Sequence, residues 1–404
     1  MSAASIARFP YLHDHHSHVS LYASFEGLPD IAALDAAAAM RILEDLPRDR
    51  LNLVKGWRTD RLPLGSDTLK RLPPVIVVNA SLHGYALSSS SLPGLRELWP
   101  EFAENAAEAA WGERNLPWLF VFYGKLAGLD SKKLASFMSK MEAQGIGSLE
   151  DMTLAGEDAL AVVSASPFAR RIVPWATPEV YRGLSRASRV KCAGVKIFLD
   201  GALGARSAAL DAPFSDGTKG ALLYRDGELS SLLAELASYN VGLSAHAIGH
   251  QAISQALRCL EALARDNVSF PSVRLEHVQF ITENQAKRCK GAGIILSMQP
   301  NFNADSRDYA DRLIPRHRAE NDPFRMLIDE AGFIPGEDLL FGSDGMPHGI
   351  EYALRCSFFP DFEGQRLSLE EFEAGYGAAR GIEGEGSAFI LDEGSRSIRR
   401  KDNA

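Results

Sequence analysis

Asp14-His15-His16-Ser17-His18 lies near the start of the chain, and its spacing suits a metal. Side chains on an extended strand alternate between faces, so His16 and His18 share one face and offer two imidazole nitrogens to one ion. Three further candidates stand at the ends of apolar runs. These are His246 in Leu243-Ser244-Ala245-His246, His277 in Arg274-Leu275-Glu276-His277, and Asp344 in Phe341-Gly342-Ser343-Asp344. Alternation groups His246 with Ser244 and Gly242, and His277 with Leu275. His246 and His277 are 31 residues apart, about one strand–helix unit, and His277 and Asp344 are 67 apart, about two.

Lys196 completes the set. In Gly194-Val195-Lys196-Ile197-Phe198-Leu199-Asp200, the apolar Val195, Ile197 and Leu199 would face helices and leave Lys196 inward. A buried ammonium is costly unless paired or neutralised. It could pair with Asp200 or Asp344. Alternatively, the neutral amine could react with carbon dioxide to give a carbamate that bridges two metal ions.

Positioning these groups requires eight strands, expected at 10–18, 146–152, 171–176, 195–200, 242–247, 273–280, 294–299 and 339–344. Helical patterns lie between them, as at 251–266, where Ile253, Ala256, Leu257, Leu260, Leu263 and Ala264 recur every three or four residues. Thr282 with Gln285 reads as a capping box opening the next helix. The alternation predicts an α/β fold, a (β/α)8 TIM barrel with a large insertion between strands one and two. The barrel is expected over 8–18 and 145–385, an insertion subdomain over its mouth at 19–144, and a charged C-terminal tail at 386–404. Within the insertion, 51–57 and 74–79 are strand-like, 88–91 is serine-rich, and 131–143 reads as a helix that Gly145 can end.

With 43 Lys+Arg against 52 Asp+Glu the net charge is −9, which argues against nonspecific nucleic-acid binding. The apolar runs at 74–78 and 118–123 are far shorter than the ~18 residues of a membrane span. The opening ten residues lack a secretion pattern, and Cys192, Cys259, Cys289 and Cys356 form no CxxC pair or disulfide framework. A soluble, cytoplasmic protein acting on a small-molecule substrate is expected, with no nucleic-acid or membrane partner.

His16/His18, Lys196, His246, His277 and Asp344 resemble, in order, the ligand set of the amidohydrolase superfamily. The segments GVKIFLDGALGARSAAL at 194–210, His246-Ala247-Ile248-Gly249, RLEHVQ at 274–279 and Gly342-Ser343-Asp344 are similar to the branch that includes N-substituted formamide deformylases. The resemblance covers about residues 8 to 380. It departs in three places. Family members usually build a small β-sandwich from both termini, most of which is lacking here, 384–392 resembling a degenerate remnant. His250 stands where Asp is usual. Ser81-Leu82-His83 replaces a common Asp-Gly-His element.

The resemblance implies one or two divalent ions, zinc foremost, held by His16, His18, His246, His277, Asp344 and carboxylated Lys196. A metal-activated hydroxide would attack an amide carbonyl, with Asp344 moving the proton to the departing nitrogen. His83, Asp200, Arg206 and His250 are the expected substrate contacts, with His348 a weaker candidate. Arg206 could instead form a salt bridge with Asp200 or Asp211. The expected activity is hydrolysis of a non-peptide C–N bond in an N-acyl or N-formyl amine or a cyclic amide. Ester or lactone hydrolysis, deamination, and a non-catalytic ligand-binding barrel are the alternatives. Apolar surface left by the missing sandwich points to a homodimer.

Overall fold

The computed structural model describes residues 5–79, 82 and 84–401. Eight parallel strands form one sheet in sequential order: β1 (Leu12–Ser17), β2 (Ile146–Asp151), β3 (Ile172–Ala176), β4 (Gly194–Phe198), β5 (Gly242–Ala247), β6 (Val273–His277), β7 (Ile295–Met298) and β8 (Leu339–Phe341). The seam between β8 and β1 is drawn together just beyond the strands. Asp344 N donates to His16 O at 2.7 Å, and Ser343 N and Oγ donate to Asp14 at 2.9 and 2.5 Å. The result is a nearly closed α/β barrel, with all eight strands where the apolar runs predict them.

Outward residues such as Val195, Ile197, Leu243, Leu275 and Leu296 join the helices in one large core. The helix His250–Arg265 contributes Ala252, Ile253, Ala256 and Leu257 to it. Thr282 caps Glu283–Gly291 through the reciprocal bonds of a capping box. Between β4 and β5 the backbones approach so closely that a Cβ on Gly194 would stand 2.0 Å from Gly242 O, so only glycine fits.

The long connection between β1 and β2 carries a three-stranded sheet. Asn52–Trp57 runs parallel to Val75–Asn79, which is antiparallel to Tyr85–Leu87. Its two faces feed separate clusters, Val54, Val75 and Val77 on one side and Leu53, Ile76 and Val78 on the other. The helix Ser131–Ala143, read from sequence as part of the insertion, instead packs Leu134, Phe137, Met138 and Met141 into the barrel core. Gly145, at φ +86°, follows it.

The expected tail at 386–404 is corrected, since Glu385–Asp392 and Ser397–Arg400 are strands and Glu385–Asp392 pairs antiparallel with Ser5–Pro10. The charged residues around Ile398 hide its apolar face, which with Phe9, Phe389 and Leu391 is buried in the main core. The four cysteines are free and buried. Among the described residues no helix is long and apolar enough to cross a membrane.

Candidate metal centre

The carboxyl ends of β1, β5, β6 and β8 bring His16, His18, His246, His277 and Asp344 to one rim. Lys196, in the middle of β4, lies within electrostatic reach of His16, His246 and His277. Donor atoms of His16, His18 and Asp344 lie within 4.8 Å of one another. His18 Nε2 is 2.9 Å and His16 Nε2 3.6 Å from Asp344 Oδ1. The His277 ring centroid lies 4.7 Å from that of His16 and 4.5 Å from that of His246. A small hollow of about 40 Å³ opens among the histidines and Asp344, enough to admit water.

Three of the imidazoles are aimed by partners on their far side. His16 Nδ1 meets Glu276 Oε2 at 2.6 Å, His18 Nδ1 meets Thr153 Oγ1 at 2.6 Å, and His277 Nδ1 meets Gln299 Oε1 at 2.7 Å. Glu276 and the Gln299 carbonyl can only accept, so Nδ1 of His16 and His277 donates. Each of these two rings keeps its Nε2 lone pair toward the rim, as ligation requires, while His18 Nε2 faces the Asp344 carboxylate. His246 is turned the other way, its Nε2 3.1 Å from Gly201 O. Burial lowers the His16 imidazole, pushes His277 well down and brings His246 to about 3, which favours neutral imidazoles at pH 7.

Below the rim lies a charged network that sequence reasoning did not single out. Arg274 Nε donates to Glu276 Oε1 at 2.7 Å and Arg274 Nη1 to Glu150 Oε2 at 2.9 Å; all three side chains are buried. Burial alone would raise the two carboxyls, but the Arg274 guanidinium holds both well below their usual range. Strand alternation places Arg274 with Glu276 on the inward face, a signal the RLEH string does contain. Nothing local to the sequence marks Thr153 or Gln299.

Lys196 is fully buried, and its Nζ has no hydrogen-bond partner. It pairs with neither Asp200 nor Asp344. Burial pushes the ammonium down to about 8. A buried amine left orphaned among neutral imidazoles and carboxylates leaves electrostatics that a divalent ion and a carbamate on Nζ would balance. The residues fit such a group.

The expected substrate contacts fare differently. His83 lies outside the described residues. Asp200 does not face the cavity: its carboxylate accepts from the backbone amides of Ala209, Ile248 and Gly249 at 2.8–3.0 Å, and burial raises it to about 7. It ties the loop after β4 to the loop after β5. Arg206 lines the large cavity, but its guanidinium is held by Asp216 at 3.0 Å and Asp311 at 3.7 Å, rather than by Asp200 or Asp211. His250 turns away from the cavity and packs, with tilted rings, against Phe280 and His317, 3.7 Å from Asp211. His348 is half-buried behind the rim, with Nε2 3.1 Å from Ser17 Oγ.

Above the rim opens a cavity of about 1040 Å³, reached by His246, His277 and Asp344 from the barrel and by Asn79, Tyr85 and Arg114 from the insertion. Phe302 stacks over His277, with 6.0 Å between ring centroids. The site thus joins ligand-like donors to a roomy, partly aromatic pocket.

Comparison with known proteins agrees with this geometry. The profile of the amidohydrolase family matches residues 130–350. The chain belongs to the amidohydrolase family. Members are classed among metal-dependent hydrolases, and the donor set at this rim is consistent with that class. YtcJ of Bacillus subtilis (strain 168), an amidohydrolase by name, is 32% identical over 115 residues, 28% of this chain and 21% of YtcJ. The match thus spans about a fifth of that curated relative. Two uncharacterized metal-dependent hydrolases share the fold. That of Pyrococcus horikoshii OT3 is 22% identical, covers 93% of this chain and 80% of its own, and has a TM-score of 0.66. That of Pyrococcus furiosus is 20% identical, covers 97% and 88%, and has a TM-score of 0.65.

Proposed function

We propose that this amidohydrolase cleaves a non-peptide C–N bond in a small N-acyl or N-formyl amine or a cyclic amide. The observation that carries the reading is Lys196, a buried and unpartnered amine within electrostatic reach of His16, His246 and His277, the last two of which line a substrate-sized cavity. His16, His18, His246, His277 and Asp344 would hold one or two divalent ions, zinc suiting these nitrogen and oxygen donors, with Lys196 contributing as a carbamate. A bound ion would lower the pKa of a coordinated water and polarise the scissile carbonyl.

The chain's own groups supply the remainder. Burial alone would raise the Asp344 carboxyl, yet the imidazoles of His16 and His18 hold it well below the carboxylate range. Its Oδ atoms are therefore ionised and able to take a proton from the attacking water. They then deliver that proton to the departing nitrogen, without which an amine is a poor leaving group. Glu276, Thr153 and Gln299 keep the imidazoles oriented throughout. Phe302 and Met346 line the cavity beside the rim and reduce the space open to bulk water. The GVKIFLDGALGARSAAL and RLEHVQ segments support the branch of N-substituted formamide deformylases over others.

Metal analysis of purified protein, followed by a panel of N-formyl amines, N-acyl amines, cyclic amides, esters and lactones, tests this. Stoichiometric metal with turnover of amides is expected. Turnover confined to esters or lactones would refute the C–N assignment, and tight metal without turnover of any member would refute the enzyme reading.

A further inference from the structure

A second pocket, of about 460 Å³, lies behind the segment that walls the catalytic cavity. Arg307, Arg355 and Arg396 line it, together with Asn303, Phe359 and Asp361. Three guanidiniums converging on one hollow is an uneven distribution for a chain of net charge −9.

Only one of the three is satisfied by carboxylates. Arg307 donates to Asp308 at 3.0 Å and to Asp361 at 3.4 Å. Arg355 lies 5.0 Å above the Tyr352 ring and Arg396 5.9 Å from the Phe359 ring. Among the described residues neither meets a carboxylate within salt-bridge distance. Arg396 also donates to Pro360 O at 3.0 Å, which with the stacking fixes its plane. Its backbone is left-handed, at φ +50°, in the turn between Glu385–Asp392 and Ser397–Arg400. Asp392 Oδ1 organises that turn by accepting from Gly394 N and Ser395 N. The two unpaired guanidiniums are thus pre-oriented forks, the geometry that binds phosphate or carboxylate oxygens in pairs. Asp308 and Asp361 both face Arg307, and Arg355 and Arg396 are left, among the described residues, as the two guanidiniums without a carboxylate partner.

We propose that this pocket binds a small dianion, a phosphate group or a dicarboxylate, gripped by Arg355 and Arg396 with Arg307 as third donor. The location gives the site a bearing on catalysis. Asn303 and Arg307 face this pocket while Phe302 and Asp305, on the same short segment, face the catalytic cavity. Asn303 Nδ2 holds that segment to Cys356 O and Gln365 O.

Calorimetric titration of the metal-loaded full chain with inorganic phosphate, and separately with succinate, at constant ionic strength set by chloride, tests the proposal. Saturable binding of at least one is expected. Arg355→Gln combined with Arg396→Gln should weaken it at least about tenfold, the effect of losing one charged hydrogen bond. Arg355→Lys, which keeps the charge but loses the fork, should fall between. Loss of phosphate binding alone identifies a phosphate ligand, and loss of succinate binding alone a dicarboxylate. Phosphate can also meet the metal centre, so binding that is unchanged in the double variant overturns the proposal, as does absence of saturable binding of both probes to the wild-type protein. Both arginines are exposed, and unchanged metal content and circular dichroism verify that the variants are folded.

Discussion

Replacing Lys196 with methionine should make the metal-free protein more stable while removing its capacity to hold metal. Burial lowers the lysine from 10.5 to about 8, so forcing its proton to remain in the folded state at pH 7 costs about 3 kcal/mol. Methionine has a similar length and no charge, and its removal of Nζ orphans nothing, since that atom has no hydrogen-bond partner and Glu276 keeps Arg274. The sign follows from which state binds the proton more tightly. Below pH 8 lysine is protonated in both states and the full penalty applies. Between 8 and 10.5 the unfolded chain holds more protons, and the penalty shrinks with rising pH. Above 10.5 it vanishes. Urea unfolding in chelator, followed by tryptophan fluorescence, should therefore favour Lys196→Met by about 3 kcal/mol at pH 7 and by about 1 kcal/mol at pH 9.5. Metal analysis of the variant should find the site emptied or nearly so. A variant that is less stable than wild type at pH 7, or whose advantage does not shrink at pH 9.5, would show that Lys196 is an ordinary structural residue.

Asp344→Asn should keep a measurable share of bound metal but lose about 10²- to 10⁴-fold in kcat, the range of general acid–base catalysis; a wild-type rate would remove the proton-shuttle role. Glu276→Gln must turn its amide nitrogen toward either His16 Nδ1 or the Arg274–Ser244 side, where donors already stand, and should weaken metal binding about 10- to 100-fold in a chelator competition. An unchanged metal affinity would show that His16 is oriented by other groups. Gly194→Ala places a methyl group 2.0 Å from Gly242 O and 2.6 Å from the Trp175 ring; unfolding free energy should fall by about 3 kcal/mol, read from the urea midpoint, and a loss below about 0.5 kcal/mol would mean β4 and β5 can separate freely.

Much of this arrangement was legible in order and type. Each barrel strand is a short apolar run whose identity depends on neighbours in sequence, and the helices between them follow a three- and four-residue period. Lys196 could be placed inward because Val195, Ile197 and Leu199 demand the opposite face, and the core does hold them. Residues 384–392 were legible only as a remnant of a terminal sandwich; their pairing with Ser5–Pro10 and the strand Ser397–Arg400 were not, since no local pattern reports a partner so far away in the chain. Asp200 and His250 were assigned to substrate from their positions in loops near the rim. The fold spends the first on three backbone amides and buries the second away from the cavity, against Phe280 and His317.

By itself the sequence determined which residue types could reach the rim and in what strand order, since side-chain alternation and apolar period are properties of neighbouring residues. Tertiary structure decided which of them arrive. His277 shares a strand face with Leu275, which is packed outward in the core, yet a backbone φ of +70° at the end of β6 swings its imidazole to the inner rim. Asp344 likewise stands at φ +55°, held by His16 O across the seam. Such left-handed residues are costly in isolation and persist only where contacts from distant strands outweigh the strain, so their direction is set by the closed barrel.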